Sequence, residues 1–361
     1  MLAEPMWGPT RAPQPLSLAL QGGGAHGAYT WGVLEALLEH TSHRIAAISG
    51  TSAGAVNAVV LAHGLVESGH TGARAALEGF WNALGRSVSW EATGMIGATG
   101  DRLTPAGRMM LQWASMFSPT QVNPMRIDPL RDLLAKTVDF DRLRRQRDVR
   151  LFIAATHANS GRLRVFGNAE LTIDVVLASA CLPTLQRAVS IDGEPYWDGG
   201  YSANPALFPL VHDVAVRDVL VVMLSPWTIG ATPESAGEIR ARAVEIAFNA
   251  AFLREMHWLA SATDMAREAW LPGPLERRLR SLRWHLIDGH DDLSILPDES
   301  KLLAHPQLLS KLRDAGHVRT TNWLEQHGAS IGKTGSADLQ RLFGDHQPPN
   351  KAAQSLRHIT P

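Results

Sequence analysis

Two stretches, Leu16-Ser-Leu-Ala-Leu-Gln-Gly-Gly-Gly-Ala-His-Gly27 and Ile45-Ala-Ala-Ile-Ser-Gly-Thr-Ser-Ala-Gly54, carry most of what the sequence says about the fold. In each, a short apolar run breaks at glycines and gives way to residues with helical spacing. After the first come Val33, Leu34, Leu37 and Leu38, and after the second the small residues of 55–62. The pattern predicts strand, loop, helix, twice in succession. Strands that alternate with helices in this way pair in parallel and need helices on both faces. An α/β domain on a largely parallel sheet is therefore expected.

Working outward, residues 85–129 loosen into Gly, Pro, Ser and Thr around one apolar segment, Met109 to Phe117, and form a candidate lid insertion. Met109, Trp113, Met116 and Phe117 share a helical face, so the segment reads either as an apolar lip that meets a lipid interface or as a small core helix. Helical spacing returns over 129–143. Strands are expected at 151–156 and 162–166 around a turn at Asn159-Ser-Gly161, and a helix over 174–180 that stops before Pro183. A further strand is expected at 219–225. A long helix or helix pair over about 234–271 would lay Val244, Ala247, Phe248, Ala251 and Phe252 on the sheet. Beyond Gly328 the chain is polar and rich in turn formers, so 328–361 is expected to be a disordered tail, as 1–15 is an extension before the 16–327 domain.

With 34 basic and 35 acidic residues the net charge is −1, which excludes a bulk field for nucleic acid or an anionic membrane. Lipid contact would be local. The single cysteine, Cys181, rules out an intramolecular disulfide and suits a reducing compartment. The N-terminus lacks a signal-like apolar core. The most apolar window, 45–66, is broken by Ser49, Gly50, Ser52, Gly54, Asn57 and His63, so no membrane span is expected. The expected location is cytoplasmic, with any membrane contact peripheral. No Cys/His cluster calls for a metal.

The chemistry lies at the two glycine turns. Gly50-Thr51-Ser52-Ala53-Gly54 is a G-x-S-x-G pentapeptide between a strand and a small-residue helix, the setting in which a nucleophilic serine is lifted above a sheet. The first turn, Gly22-Gly23-Gly24-Ala25-His26-Gly27, also fits the dinucleotide pattern G-x-G-x-x-G. That alternative needs an acid at the end of the second strand, where the chain instead has Ile48-Ser49-Gly50; a P-loop fails for want of Gly-Lys-Ser/Thr. Amides of a side-chain-free loop beside a serine nucleophile would form an oxyanion hole, with Gly23 and Gly24 the first choice. A serine also needs a base. The residues alone leave two options open. A late histidine such as His257, His285 or His290 could serve, or Asp198 of Asp198-Gly199-Gly200.

Taken in this order, the three motifs resemble the patatin-like phospholipases: a G-G-G-x-x-G loop, a G-x-S-x-G elbow and a D-G-G aspartate. The likeness extends through Asp174-Val-Val-Leu-Ala-Ser-Ala-Cys-Leu-Pro183 and Asn204-Pro205, and covers about 16–327. It implies one three-layer α/β/α domain with a central mixed sheet, and a Ser52–Asp198 dyad without histidine that cleaves lipid or other acyl esters through an acyl-enzyme. It implies no cofactor or metal. Many relatives have Lys or Arg where this chain has His26. An idle lipid- or protein-binding scaffold of the same fold is the rival reading, and a dinucleotide-binding oxidoreductase a more distant one.

Overall fold

The computed structural model describes residues 13–41, 43–95, 98–99, 102–104, 107, 109, 118–122 and 128–344. Strand β1 (Pro15–Leu20) runs through the glycine turn into α1 (Gly27–His40), then β2 (Arg44–Gly50) through the serine turn into α2 (Ala53–Met95). Six more strands complete the sheet: β3 (Arg150–His157), β4 (Leu163–Gly167), β5 (Val189–Ile191), β6 (Glu194–Asp198), β7 (Asp218–Met223) and β8 (Arg283–Asp288). Their order is β8-β7-β1-β2-β3-β6-β5, with β4 also on β3. Strands β8, β7, β1, β2 and β3 are mutually parallel, and β4, β6 and β5 add antiparallel pairs, so the sheet is mixed.

Side chains alternate between the two faces, as a strand period of two requires. Leu16, Leu18 and Leu20 of β1 join one core with α1, α2 and a late helix, α5 (Pro306–His327); Ala19 joins the other. In β7, Leu220 and Val222 face the first core, while Val219, Val221 and Met223 face the second, under α4 (Ala236–Glu268). Two helical layers with a sheet between them give the three-layer α/β/α architecture.

Several expectations change. The helix after the serine does not stop near residue 62: Ala73, Leu77, Phe80 and Trp81 continue its buried stripe past a kink at Ser68 and Gly69, and it takes in 85–95. The span 129–143 is two helices, because Asp139 accepts a hydrogen bond from the Arg142 amide and starts a second one. Helix α4 covers the sheet only from Phe252 onward; Val244 is 58% exposed and Ala247 is exposed, because the N-terminal turns of α4 lie beyond the core. Part of the expected tail is folded. Residues 328–344 end in α6 (Leu339–Phe343), whose Leu339 and Phe343 enter the second core, with Phe343 edge-on to Trp227 at 4.8 Å. Of the apolar segment 109–117, Met109 is 69% exposed, and 108 and 110–117 lie outside the described residues, as do 345–361.

Candidate active site

The glycine turn and the serine turn leave the carboxyl ends of adjacent parallel strands, β1 and β2, and so lie side by side. The sheet order also reverses direction at β1, with β2 on one side and β7 on the other, where open α/β sheets bind ligands.

Ser52 occupies the left-handed region at φ 55, a conformation that costs a non-glycine residue energy and that surrounding structure must impose. The imposing contacts are visible. A side chain at Gly54 would come within 2.1 Å of the Leu20 carbonyl, so only glycine lets the turn close on β1. The Ser52 carbonyl accepts from the amides of Ala55 and Val56, which starts α2, and the Ser52 amide donates to Ser179 Oγ at 3.0 Å. Ser179, fully buried, ends helix α3 (Ile173–Ser179). Thr51 Oγ1 donates to the Ala203 carbonyl at 2.9 Å.

The glycine loop is pressed onto this turn. A Cβ at Gly22 would stand 2.7 Å from that of Ser52, so a side chain there would displace the nucleophile. Not every residue expected in the oxyanion hole can serve it. The Gly22 amide donates to Asn204 Oδ1 at 2.7 Å, and the Gly27 amide to the carbonyls of Gly24 and Ala25. The amides of Gly23, Gly24 and Ala25 have no acceptor among the described residues.

Asp198 closes β6 and is completely buried. Its Oδ1 accepts from the Gly200 amide at 2.8 Å, and its Oδ2 has no hydrogen-bond partner among the described residues. Burial pushes its pKa up to about 7, against the smaller opposite pull of the Gly200 amide and the Ser52 side chain. The Ser52 side chain thus lies close enough to this carboxyl to affect its titration. Gly199 packs on the Ala154 carbonyl, and Gly200 on Phe248 of α4. Cys181 lies next to this segment, its carbonyl accepting from the Asp198 amide at 2.8 Å. Its thiol is pushed up to about 12, first by burial and then by Asp198, which removes it as a nucleophile.

None of the three histidines considered as base bonds Ser52 or Asp198 among the described residues. His257 contacts the Phe343 carbonyl, His285 is held by Asp218 and Ser336, and the His290 amide donates to Asp288. His26, 2% exposed, sits against Ser300 Oγ at 2.7 Å; burial, then Lys301, lowers its pKa to about 3 and keeps it neutral. It supplies no cation to the loop. A group with metal-ligand spacing, Glu39, His40 and His317, is at the far end of α1 from the glycine turn.

The resemblance marks the segments holding Ser179 and Asn204 without giving either a role. Their partners are 127 and 182 residues away, so no local pattern could have revealed them.

The sequence pattern of the patatin-like phospholipases matches residues 18–211, more than half of the chain, and carries all three turns. The chain belongs to the patatin-like phospholipase family. Membership supports a lipid acyl hydrolase activity in general. Among solved structures, VipD from Legionella pneumophila is similar at 18% identity and a TM-score of 0.42, covering 88% of this chain and 68% of VipD. Full-length ExoU in complex with SpcU, from the type III secretion system of Pseudomonas aeruginosa, is similar at 16% identity and a TM-score of 0.28, covering 97% and 86%. Likeness at this level adds no argument to the family assignment. No curated sequence matches the chain significantly.

Proposed function

We propose that the chain is a serine hydrolase of lipid acyl esters in which Ser52 is the nucleophile and Asp198 its only base. One observation carries the reading: a wholly buried carboxylate, one oxygen of which has no hydrogen-bond partner among the described residues, lies beside a serine held at φ 55. A carboxyl of ordinary pKa would be too weak a base. With a pKa of about 7, Asp198 is matched to proton transfer near neutrality.

Ser52 Oγ bonds to the ester carbonyl carbon while its proton moves to Asp198 Oδ2. The carbonyl oxygen becomes an oxyanion facing the amides of Gly23 and Gly24. Collapse breaks the ester bond, and the leaving alcohol takes the proton from Asp198. Water then adds to the acyl-enzyme and gives a proton to Asp198, and the second collapse releases the fatty acid and returns the proton to Ser52 Oγ. Neither a metal nor an organic cofactor enters these steps. The substrate is an acyl ester, phospholipid or lysophospholipid first among them, reached through peripheral contact with a membrane.

The test is labelling by a fluorophosphonate serine probe together with turnover of a soluble p-nitrophenyl ester. Labelling at Ser52, lost in Ser52→Ala, with turnover lowered at least ~10³-fold in Ser52→Ala and Asp198→Asn, is the expected result. An unlabelled, inactive wild type would favour the idle scaffold, and near-normal turnover in Asp198→Asn would return the search to a histidine.

A further inference from the structure

Segment 198–206 does more than present Asp198. It is tied by side-chain hydrogen bonds to both turns of the site. Ser49 Oγ donates to the Ala206 carbonyl at 2.5 Å, Thr51 Oγ1 to the Ala203 carbonyl at 2.9 Å, and the Gly22 amide to Asn204 Oδ1 at 2.7 Å. The first two bonds hold the serine turn. The third alone reaches the glycine loop.

We infer that Asn204, 1% exposed, is a positioning residue that orients the oxyanion-hole amides by fixing the peptide just before them. The inference rests on the dyad reading of the site. Gly22 is buried and pressed against Ser52, and its amide has no other acceptor among the described residues. A buried amide left without an acceptor turns to find one. A rotation of the peptide that carries the Gly22 amide would swing the next two, at Gly23 and Gly24, away from the place where the oxyanion forms. Glycines supply no side chains to resist that rotation. An external clamp is therefore needed, and Asn204 is the described side chain that supplies it. Oδ1 serves as acceptor to an amide, so the amide group of Asn204 is oriented with its oxygen toward the loop. Since Asp198 and Asn204 belong to one short segment, base and oxyanion donors are set relative to each other by the same piece of chain.

The clamp acts on the transition state and leaves substrate binding alone, so its loss should appear in kcat and in the rate of fluorophosphonate labelling at Ser52, with KM changed less than about threefold. Three variants decide it. Asn204→Leu fills the space without an acceptor and is expected to lower kcat and labelling by about 10²-fold, the size of a lost oxyanion donor. Asn204→Asp keeps shape and acceptor and is expected to remain well above Asn204→Leu in both. Ser49→Ala loosens the same segment without touching the glycine loop; it is expected to lower the melting temperature and to lower kcat and labelling far less than Asn204→Leu does. Wild-type labelling of Asn204→Leu would overturn the inference, as would equal losses in Asn204→Leu and Ser49→Ala. Failure of the near-isosteric Asn204→Asp to fold would also overturn it and make the residue structural. A wild type that the probe does not label at Ser52 would instead overturn the dyad reading beneath it.

Discussion

Two buried aspartates sit at opposite ends of one sheet, and the chain treats them in opposite ways. Asp218 opens β7 at the amino ends of the parallel strands, 1% exposed. It accepts from Arg283 Nε at 2.9 Å, His285 Nε2 at 3.1 Å and the Gly332 amide at 3.0 Å. Burial alone would raise its pKa; His285, Arg283 and the Gly332 amide together carry it below the usual carboxylate range. Asp198, near the carboxyl ends, has one backbone donor and an oxygen with no hydrogen-bond partner among the described residues, and burial prevails. At one end charge is saturated to hold the chain together. At the other, burial of a carboxyl with few donors raises its pKa, as the base proposed above requires.

The largest expected effect is at the saturated end. Asp218→Asn leaves Arg283 and His285 without their acid and should cost about 3–5 kcal/mol in urea unfolding at pH 7. A depressed pKa contributes stability above the unfolded value of 3.8 and loses it as pH falls toward the folded value, so the gap should narrow below about pH 4. A wild-type melting curve for this variant would remove the distinction between the two ends.

Asp198→Asn should act with the opposite sign. A carboxyl raised from 3.8 to about 7 weakens the fold progressively across that interval and fully above it. The variant should therefore be more stable than wild type at pH 8, by on the order of 4 kcal/mol at most, and no more stable at pH 3. Destabilisation at pH 8 would mean that the folded carboxylate is better satisfied than its surroundings indicate.

The smallest effect is kinetic. The proposed mechanism needs ionised Asp198 for turnover of a soluble ester, so kcat/KM should fall about tenfold per unit below pH 7 and level off above it. His26, with its pKa near 3, cannot produce that inflection. A profile flat from pH 5 to 8 would contradict the pKa assigned to Asp198.

Legibility in the sequence followed the range of the interactions. The β1 and β2 units are read from periodicity and glycine spacing because each is closed by contacts within a few residues, as the Ser52 carbonyl is by Ala55 and Val56. Strand β8 was missed: Arg283-Trp-His-Leu-Ile-Asp288 mixes charge with apolar residues because Arg283 and His285 serve Asp218. The same network explains the misjudged tail. Composition gives 328–344 little apolar content, yet the Gly332 amide and Ser336 Oγ bond to Asp218 and His285, and two side chains suffice to seat its end. At the site, Ser52 and Asp198 were legible as motifs. The side chains that hold the surrounding amides, Ser179 and Asn204, were not, since their meaning exists only after the chain folds. Helix lengths allow a related statement: none among the described residues is long and apolar enough to cross a membrane.

The solitary cysteine gives the molecule a built-in clock. Cys181 is 1% exposed, its thiol is pushed up to about 12, and its carbonyl accepts from the Asp198 amide. In the closed protein a thiol reagent finds nothing to modify, so each alkylation event marks an excursion in which this wall of the site has opened. Mass spectrometry of slowly accumulating adduct would thus time the breathing of the pocket without any engineered label. A second cysteine placed at Trp270, 96% exposed, would react at once and serve as the internal standard.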